Sequence, residues 1–210
     1  TPEQVRNLSK FSAATIHEAM GRRGAMDSQI KPIYTGIKVA GVALTCVCHA
    51  NDNLTLHVAL KIAKPGDVIV CAAGDYVEQG LFGDVMSSCA MGAGVAGLVT
   101  DGGVRDRETI REIGFPIFSR GVSIKGTVKE TLGPVNHPVS VGGMVVRPGD
   151  LVAGDADGVL AIPREEAEAV IAAAEAHQRK EKASMAAIEA GTWDRRWVDE
   201  ALRARGCELP

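Results

Sequence analysis

Between Gly36 and Ser119 the chain switches repeatedly between a strand period and a helix period, and this restricts its fold more than any other feature. Gly36–His49 alternates apolar and polar residues and is β-branched, which predicts a strand. Asn53–Lys64 also alternates, but its length and its closing Lys64-Pro65-Gly66 favour a helix. Asp67–Ala72 then predicts a buried strand after a Pro-Gly turn. Leu81–Gly92 predicts a helix opening on Gly80-Leu81-Phe82-Gly83, and Gly97–Thr100 a strand that ends in Asp101-Gly102-Gly103. Asp106–Ile113 predicts a helix stopped by Gly114, and Pro116–Ser119 a further strand. Strand and helix in turn imply parallel β-α-β connections and the α/β class.

The flanks differ. Residues 2–20 read as helical, with Ser12 capping Ala13–Met20 and Gly21 as the stop. Val122 to Pro163 is turn-rich, with strands expected at Val139–Val141, Met144–Val146, Asp150–Ala153 and Val159–Ile162. Arg147-Pro148-Gly149-Asp150 repeats the turn chemistry of Lys64-Pro65-Gly66-Asp67, a shared device rather than a duplicated domain. Pro163 opens a long helix over about 164–190, with Gly191 as its stop. The last twenty residues are amphipathic, with Trp193, Trp197 and Leu202 as anchors. Nothing resembles a linker, so 1–210 reads as one domain with a C-terminal helical arm from about 164.

Composition removes several classes. With 46% hydrophobic and 23% charged residues the chain is not disordered. Twenty-four glycines against four Phe, two Tyr and two Trp leave the core to Val, Ile, Leu and Ala. Lys+Arg 23 against Asp+Glu 26, a net charge of −3, leaves no electrostatic footprint for nucleic acid and no basic face for a membrane. No apolar run approaches the roughly 18 residues of a membrane helix. Thr-Pro-Glu-Gln at the start shows no basic and apolar leader, so no signal peptide is expected. Five cysteines without framework spacing suit a reducing cytoplasm. Cys46-Val47-Cys48-His49 has C-x-C spacing, a poor fit to zinc sites.

Four stretches could carry chemistry. Gly83-Asp84-Val85-Met86 stands at a helix mouth, where backbone N–H groups bind anions; Asp84 reads either as part of such a site or as a cap. In Asp101-Gly102-Gly103-Val104-Arg105-Asp106 a strand runs into two glycines, which let backbone approach something closely. Arg105 offers a fork for a carboxylate or enolate and Asp106 a hard oxygen for Mg²⁺ or Mn²⁺; the plain alternative is a cap and a surface ion pair. Asn53 and His57 share a helix face, as a substrate pair or as a cap and a surface imidazole. Arg179-Lys180-Glu181-Lys182 reads as a solvated helix face. Gly92–Gly97 matches G-x-G-x-x-G, but after a helix and before a strand, the wrong order for a dinucleotide site. No G-x-S-x-G, H-E-x-x-H or Walker lysine occurs.

Asp84, twenty residues, then Arg105-Asp106 resembles the signature of the class II 4-hydroxy-4-methyl-2-oxoglutarate / 4-carboxy-4-hydroxy-2-oxoadipate aldolases. These belong to the superfamily of the regulator of ribonuclease E activity A. Further segments are similar: Ile30-Lys31-Pro32, Cys48–Leu54, Lys64–Val68, Asn136–Val139 and Arg147–Val159. The resemblance implies an α-β-β-α sandwich with a swivelling-domain-like β-core, in trimers or hexamers with sites between subunits. It implies Asp106 as the direct ligand of Mg²⁺ or Mn²⁺, with Asp84 and a neighbouring subunit's Glu181 acting through water. It implies Arg105 on the pyruvyl group, and the backbone at Gly83, Val85 and Met86 around the pyruvate carboxylate. Asn53 and His57 match residues near the distal part of the substrate, and Lys129 is a weaker match there. The implied partner is a small 2-oxo acid, cleaved to pyruvate, with oxaloacetate decarboxylation as a side activity. Two alternatives share the pattern: a non-catalytic protein-binding regulator of the ribonuclease E type, and a dedicated decarboxylase of oxaloacetate-like acids.

Overall fold

The computed structural model describes residues 1–207, and the strand–helix alternation is its backbone. In chain order, α1 (Pro2–Leu8), α2 (Ala13–Ala19) and β1 (Lys31–Pro32) precede β2 (Val39–Val47), α3 (Leu54–Ile62) and β3 (Asp67–Ala72). Then come α4 (Asp84–Gly92), β4 (Gly97–Val104), α5 (Arg107–Ile113) and β5 (Ile117–Val122). The turn-rich region supplies β6 (Val139–Val141), β7 (Met144–Val146), β8 (Leu151–Asp155) and β9 (Gly158–Ile162). A 3-10 turn at Arg164–Glu166 leads into α6 (Ala167–Glu189), and α7 (Arg196–Arg203) follows.

Two compact units result, Thr1–Ala174 and Glu175–Pro210. In the first, seven strands form one sheet in the order β1-β5-β4-β3-β2-β8-β9, with β6-β7 as a separate hairpin. β2, β3, β4 and β5 run parallel, as the alternation requires, and β8 and β9 extend the sheet antiparallel. The sheet curls toward closure. Lys31 Nζ donates to the carbonyl of Asp157 (2.5 Å), and Ala25 pairs antiparallel with Leu160.

Two apolar clusters pack this unit. The larger joins β2–β5 to α3, α4 and α5. The smaller joins α1, α2 and the start of α6 to Leu151, Ala153, Leu160 and Ile162. Val152, Val159 and Ala161 fall in the larger cluster instead, so β8 and β9 divide their side chains between the two cores with the strand period of two. This is the expected mixed α/β architecture.

The two Pro-Gly-Asp turns are one device. Lys64 N–H donates to Asp67 Oδ2 and Arg147 N–H to Asp150 Oδ2, both at 2.8 Å. Each turn launches a strand beside β2, since β3 and β8 are its two neighbours.

Several boundaries move. Residues 2–20 are two helices, because the capping geometry of Ser12, whose Oγ accepts from Thr15 N–H (3.1 Å), starts a second one. The strand expected at Gly97–Thr100 continues to Val104, with a register irregularity between Thr100 and Gly103. The helix expected from Leu81 starts at Asp84. In the second unit Trp193 and Trp197 are 43% and 60% exposed. Arg195 lies over the Trp193 ring at 5.8 Å. Among the described residues no helix is long and apolar enough to cross a membrane. All five cysteines are free thiols.

Candidate functional site

The chain from Ala73 to Gly83 leaves β3 and lies across the end of β4. Leu81 N–H donates to the carbonyl of Gly103 (2.9 Å), and Arg105 N–H to that of Phe82 (2.9 Å). A Cβ on Gly103 would stand 2.7 Å from the carbonyl oxygens of both Val77 and Gln79, so only glycine fits. What the glycines of Asp101-Gly102-Gly103 approach is therefore the protein itself: side chains of Ala73 and Leu81 at Gly102, and backbone at Gly103.

This crossing sets the site. Gly83 is the N-cap of α4 and has no side chain for the first amides of the helix. A Cβ there would collide with Asp106 Oδ2. Asp106 has φ +57°, the left-handed region that is uncommon for any residue but glycine. Its side chain makes no capping bond to α5. Instead Oδ2 accepts from Arg105 Nε (3.1 Å) and Asp84 N–H (3.3 Å). The plain alternative holds in part: Asp106 occupies the N-cap position of α5 without a side-chain capping bond, and its ion pair with Arg105 is partly exposed, but the same oxygen also takes the Asp84 amide, so Asp106, Arg105 and Asp84 form one cluster. Val85 N–H donates to Asp84 Oδ1 (2.7 Å), so in this structure that amide is engaged rather than open to a ligand.

A cavity of about 250 Å³ opens beside the cluster. It gathers eight of the ten anticipated residues: Asn53, His57, Gly83, Asp84, Val85, Met86, Arg105 and Lys129. Asp106 stands behind the rim, bonded to Arg105 and Asp84. Glu181 belongs to the second unit, on α6, where its Oε1 is 3.3 Å from His177 Nε2. Asn53 is not a cap: its side chain makes no capping bond, and Nδ2 donates to the carbonyl of Leu81 (2.8 Å). His57 is only partly buried; burial first, and the charge of Lys129 second, hold it below its ordinary 6.5. Its imidazole is therefore neutral at neutral pH.

Sequence reasoning missed Gly80, Leu81, Gly126 and Thr127, which also line the cavity. Gly80 and Leu81 were visible as a glycine-rich stretch. Gly126 and Thr127 carry no local signal; only the path of 123–133 brings them in.

Hard carboxylate oxygens at Asp106 and Asp84 suit Mg²⁺ or Mn²⁺. Asp106 Oδ1 and Asp84 Oδ2 have no hydrogen-bond partner among the described residues. No three His, Cys, Asp or Glu side chains converge among the described residues. A bound ion would thus keep most of its waters, as Mg²⁺ commonly does. The donor set fits the ion.

Comparison with known proteins places this geometry. A family model described as RraA-like, Aldolase/RraA, matches residues 13–161, and the chain belongs to that family. A Halalkalibacterium halodurans protein named "Putative 4-hydroxy-4-methyl-2-oxoglutarate aldolase" is 39% identical over 173 residues, 82% of each chain. A Thermus thermophilus protein named 4-hydroxy-4-methyl-2-oxoglutarate aldolase is 32% identical over 113 residues, 54% of this chain and 69% of its own. Streptomyces coelicolor RraAS2, described as an unusual member of the RNase ES inhibitor RraA protein family, superposes with a TM-score of 0.77. It is 31% identical, over 88% of this chain and 98% of its own.

Proposed function

We propose that this chain is a divalent-metal-dependent pyruvate aldolase. Its substrates are 4-hydroxy-4-methyl-2-oxoglutarate or 4-carboxy-4-hydroxy-2-oxoadipate. The observation that carries this is the Arg105–Asp106–Asp84 cluster beside a cavity that also presents Lys129 and His57. The aldolase-named relatives support the same reading.

In the cleavage the C3–C4 bond breaks and the C4 hydroxyl loses its proton, leaving a second 2-oxo acid. That acid is pyruvate or oxaloacetate, according to the substrate. The bond electrons pass into the enolate of pyruvate, which is then protonated at C3. A Mg²⁺ or Mn²⁺ held by Asp106, with Asp84 and a neighbouring subunit's Glu181 acting through water, would supply the electrophile for the 2-oxo group. Arg105 uses Nε on Asp106, which leaves its terminal nitrogens for the substrate carboxylate and the enolate oxygen. Asp84 Oδ2 is placed to hold a water and pass the C4 hydroxyl proton through it. The open amide of Met86 and the backbone at Gly83 receive the pyruvyl carboxylate. Asn53, His57 and Lys129 face the distal carboxylates. Oxaloacetate decarboxylation uses the same enolate and is expected as a side activity.

The five free thiols support a cytoplasmic setting. Exposed Val85 and Ile124, 77% and 95% accessible, support self-association as a trimer or hexamer. The test couples pyruvate release to lactate dehydrogenase, with Mg²⁺ and with EDTA. Metal-dependent turnover of either aldol is expected, and Asp106→Ala should abolish it. Turnover retained in Asp106→Ala would overturn the assignment.

A further inference from the structure

We propose that Asp52 is a positioning residue that fixes the distal half of the cavity by clasping α3 to the segment 128–131. This deepens the proposed aldolase function and rests on it for its catalytic readout.

Asp52 sits just before α3 and is 3% exposed. It does not line the cavity. Its Oδ1 accepts from Leu54 N–H (2.9 Å), so it supplies the cap that Asn53 does not. Its Oδ2 accepts from the N–H groups of Glu130 (2.8 Å) and Thr131 (2.7 Å), nearly eighty positions along the chain. Among the described residues it is in no ion pair; backbone N–H groups and the Thr131 side chain balance its charge. The residues on either side complete the clasp. Val128 N–H donates to the carbonyl of Asn51 (2.9 Å), and Asn53 N–H to that of Val128 (3.2 Å).

Lys129 therefore stands between two tethered neighbours, Val128 and Glu130. Asn53 and His57 stand on the helix that the same carboxylate caps. Among the described residues one further side chain ties α3 to this stretch, Thr55, whose hydroxyl accepts from Gly133 N–H (2.8 Å) beyond the clasped residues. The proximal cluster of Arg105, Asp106 and Asp84 is tied instead to the backbone of 80–83 and makes no hydrogen bond with Asp52. An asparagine at 52 has one acceptor where the carboxylate has two. One of its ends would face an N–H group with an N–H group, at α3 or at 130–131.

The experiment compares Asp52→Asn with wild type on two reactions. With 4-hydroxy-4-methyl-2-oxoglutarate, KM should rise about tenfold, the equivalent of one displaced hydrogen bond, while kcat stays within about threefold. Exchange of pyruvate methyl protons in D2O with Mg²⁺ needs only the proximal cluster and should be unchanged. Equal losses in both reactions, or no change in KM, would overturn the proposal. Amide hydrogen exchange supplies a readout independent of turnover. The Glu130 and Thr131 amides should be protected in wild type and exposed in Asp52→Asn. Retained protection in the variant would also overturn it. Wild-type protein silent in both reactions would sink the aldolase reading, while hydrogen exchange still decides the clasp. Should Asp52→Asn not fold, Thr131→Pro removes one donor to Oδ2 and leaves the carboxylate. The same KM-only loss is expected there, and a loss spread over both reactions counts against the clasp.

Discussion

The stretch 73–83 and the stretch 123–133 wall the same cavity and are held by opposite means. The first is backbone laid on backbone. Its carbonyls crowd Gly103, its amide at Leu81 bonds β4, and Leu81 and Phe82 are 1% and 0% exposed. Phe82 stacks on Phe115 at 5.9 Å between centroids. The second has a few backbone bonds, at Ser123, Lys125 and Val128, and leans for the rest on side chains: the Asp52 carboxylate, the Thr55 hydroxyl that accepts from Gly133 N–H (2.8 Å), and the Lys125–Glu78 pair. It carries Ile124 and Leu132 in the open, 95% and 60% exposed. The groups assigned to bond breaking stand with the first wall, where close packing permits little displacement. Lys129, assigned to the far end of the substrate, stands on the second, where a few hydrogen bonds set its place. A scaffold built this way can change substrate without disturbing the enolate chemistry.

Gly103→Ala attacks the first wall where it is tightest and should give the largest effect. The added methyl meets two carbonyl oxygens, so 73–83 must shift. We expect a stability loss of about 1–3 kcal/mol in denaturant melts and activity down by more than about tenfold. Full activity at wild-type stability would show that the wall yields and would erase the contrast. Lys129→Met on the second wall should leave the melt within about 0.5 kcal/mol of wild type and raise KM for the aldol substrate alone. A large fall in kcat there would move Lys129 into the bond-breaking machinery.

How much of this was legible in the sequence follows the same division. The parallel strands and their helices could be read because each is a local period closed by Gly or Pro. The proximal cluster could be read because Asp84 and Arg105-Asp106 lie at the ends of such elements. The second wall has neither period nor strand. Gly126 and Thr127 reach the cavity because their neighbours are tied to residues far away in sequence, Lys125 to Gly80, Val128 to Asn51, and Glu130 and Thr131 to Asp52, and no local pattern encodes those ties. The glycines after Asp101 are a site of close approach, as their sequence suggests, but what approaches belongs to the fold: Ala73 and Leu81 side chains at Gly102 and backbone at Gly103. The break at residues 9–12 was half visible: Ser12 was recognised as a cap, and a cap ends whatever precedes it.

The two walls also begin at buried aspartates of opposite electrostatic sense, which gives a moderate, sign-specific prediction. At the root of the first, Asp101 is 4% exposed, and its Oδ1 accepts from Ala73 N–H (2.6 Å). Burial, with the Asp75 carboxylate adding to it, raises its pKa above 3.8 despite its hydrogen bonds. Its folded form prefers the proton, so its own contribution to stability is present below 3.8 and lost as pH rises through the raised value. Asp52 is held below 3.8 by its backbone donors, so its contribution is present above 3.8 and lost as pH falls through the lowered value. Asp101→Asn keeps an acceptor for Ala73 and removes the charge. Its melting temperature should exceed wild type at pH 7, with the gap closing below pH 3.8. A variant less stable at pH 7 would mean that the carboxylate's hydrogen bonds outweigh its burial.

The smallest effect is expected at an exposed ion pair between the two walls. Lys125 Nζ and Glu78 Oε2 lie 2.5 Å apart with side chains 58% and 59% exposed. The pair lowers the pKa of Glu78 and raises that of Lys125, as an ion pair must. At such exposure water and salt screen it. The walls also share a backbone bond nearby, from Gly80 N–H to the carbonyl of Lys125 (2.9 Å), which a side-chain change leaves intact. Glu78→Gln should therefore leave KM, kcat and melting temperature unchanged at about 0.15 M salt, and lower the melting temperature only in dilute buffer. A KM increase that persists at high salt would mean that the second wall depends on this pair, and that Asp52 does not hold it alone.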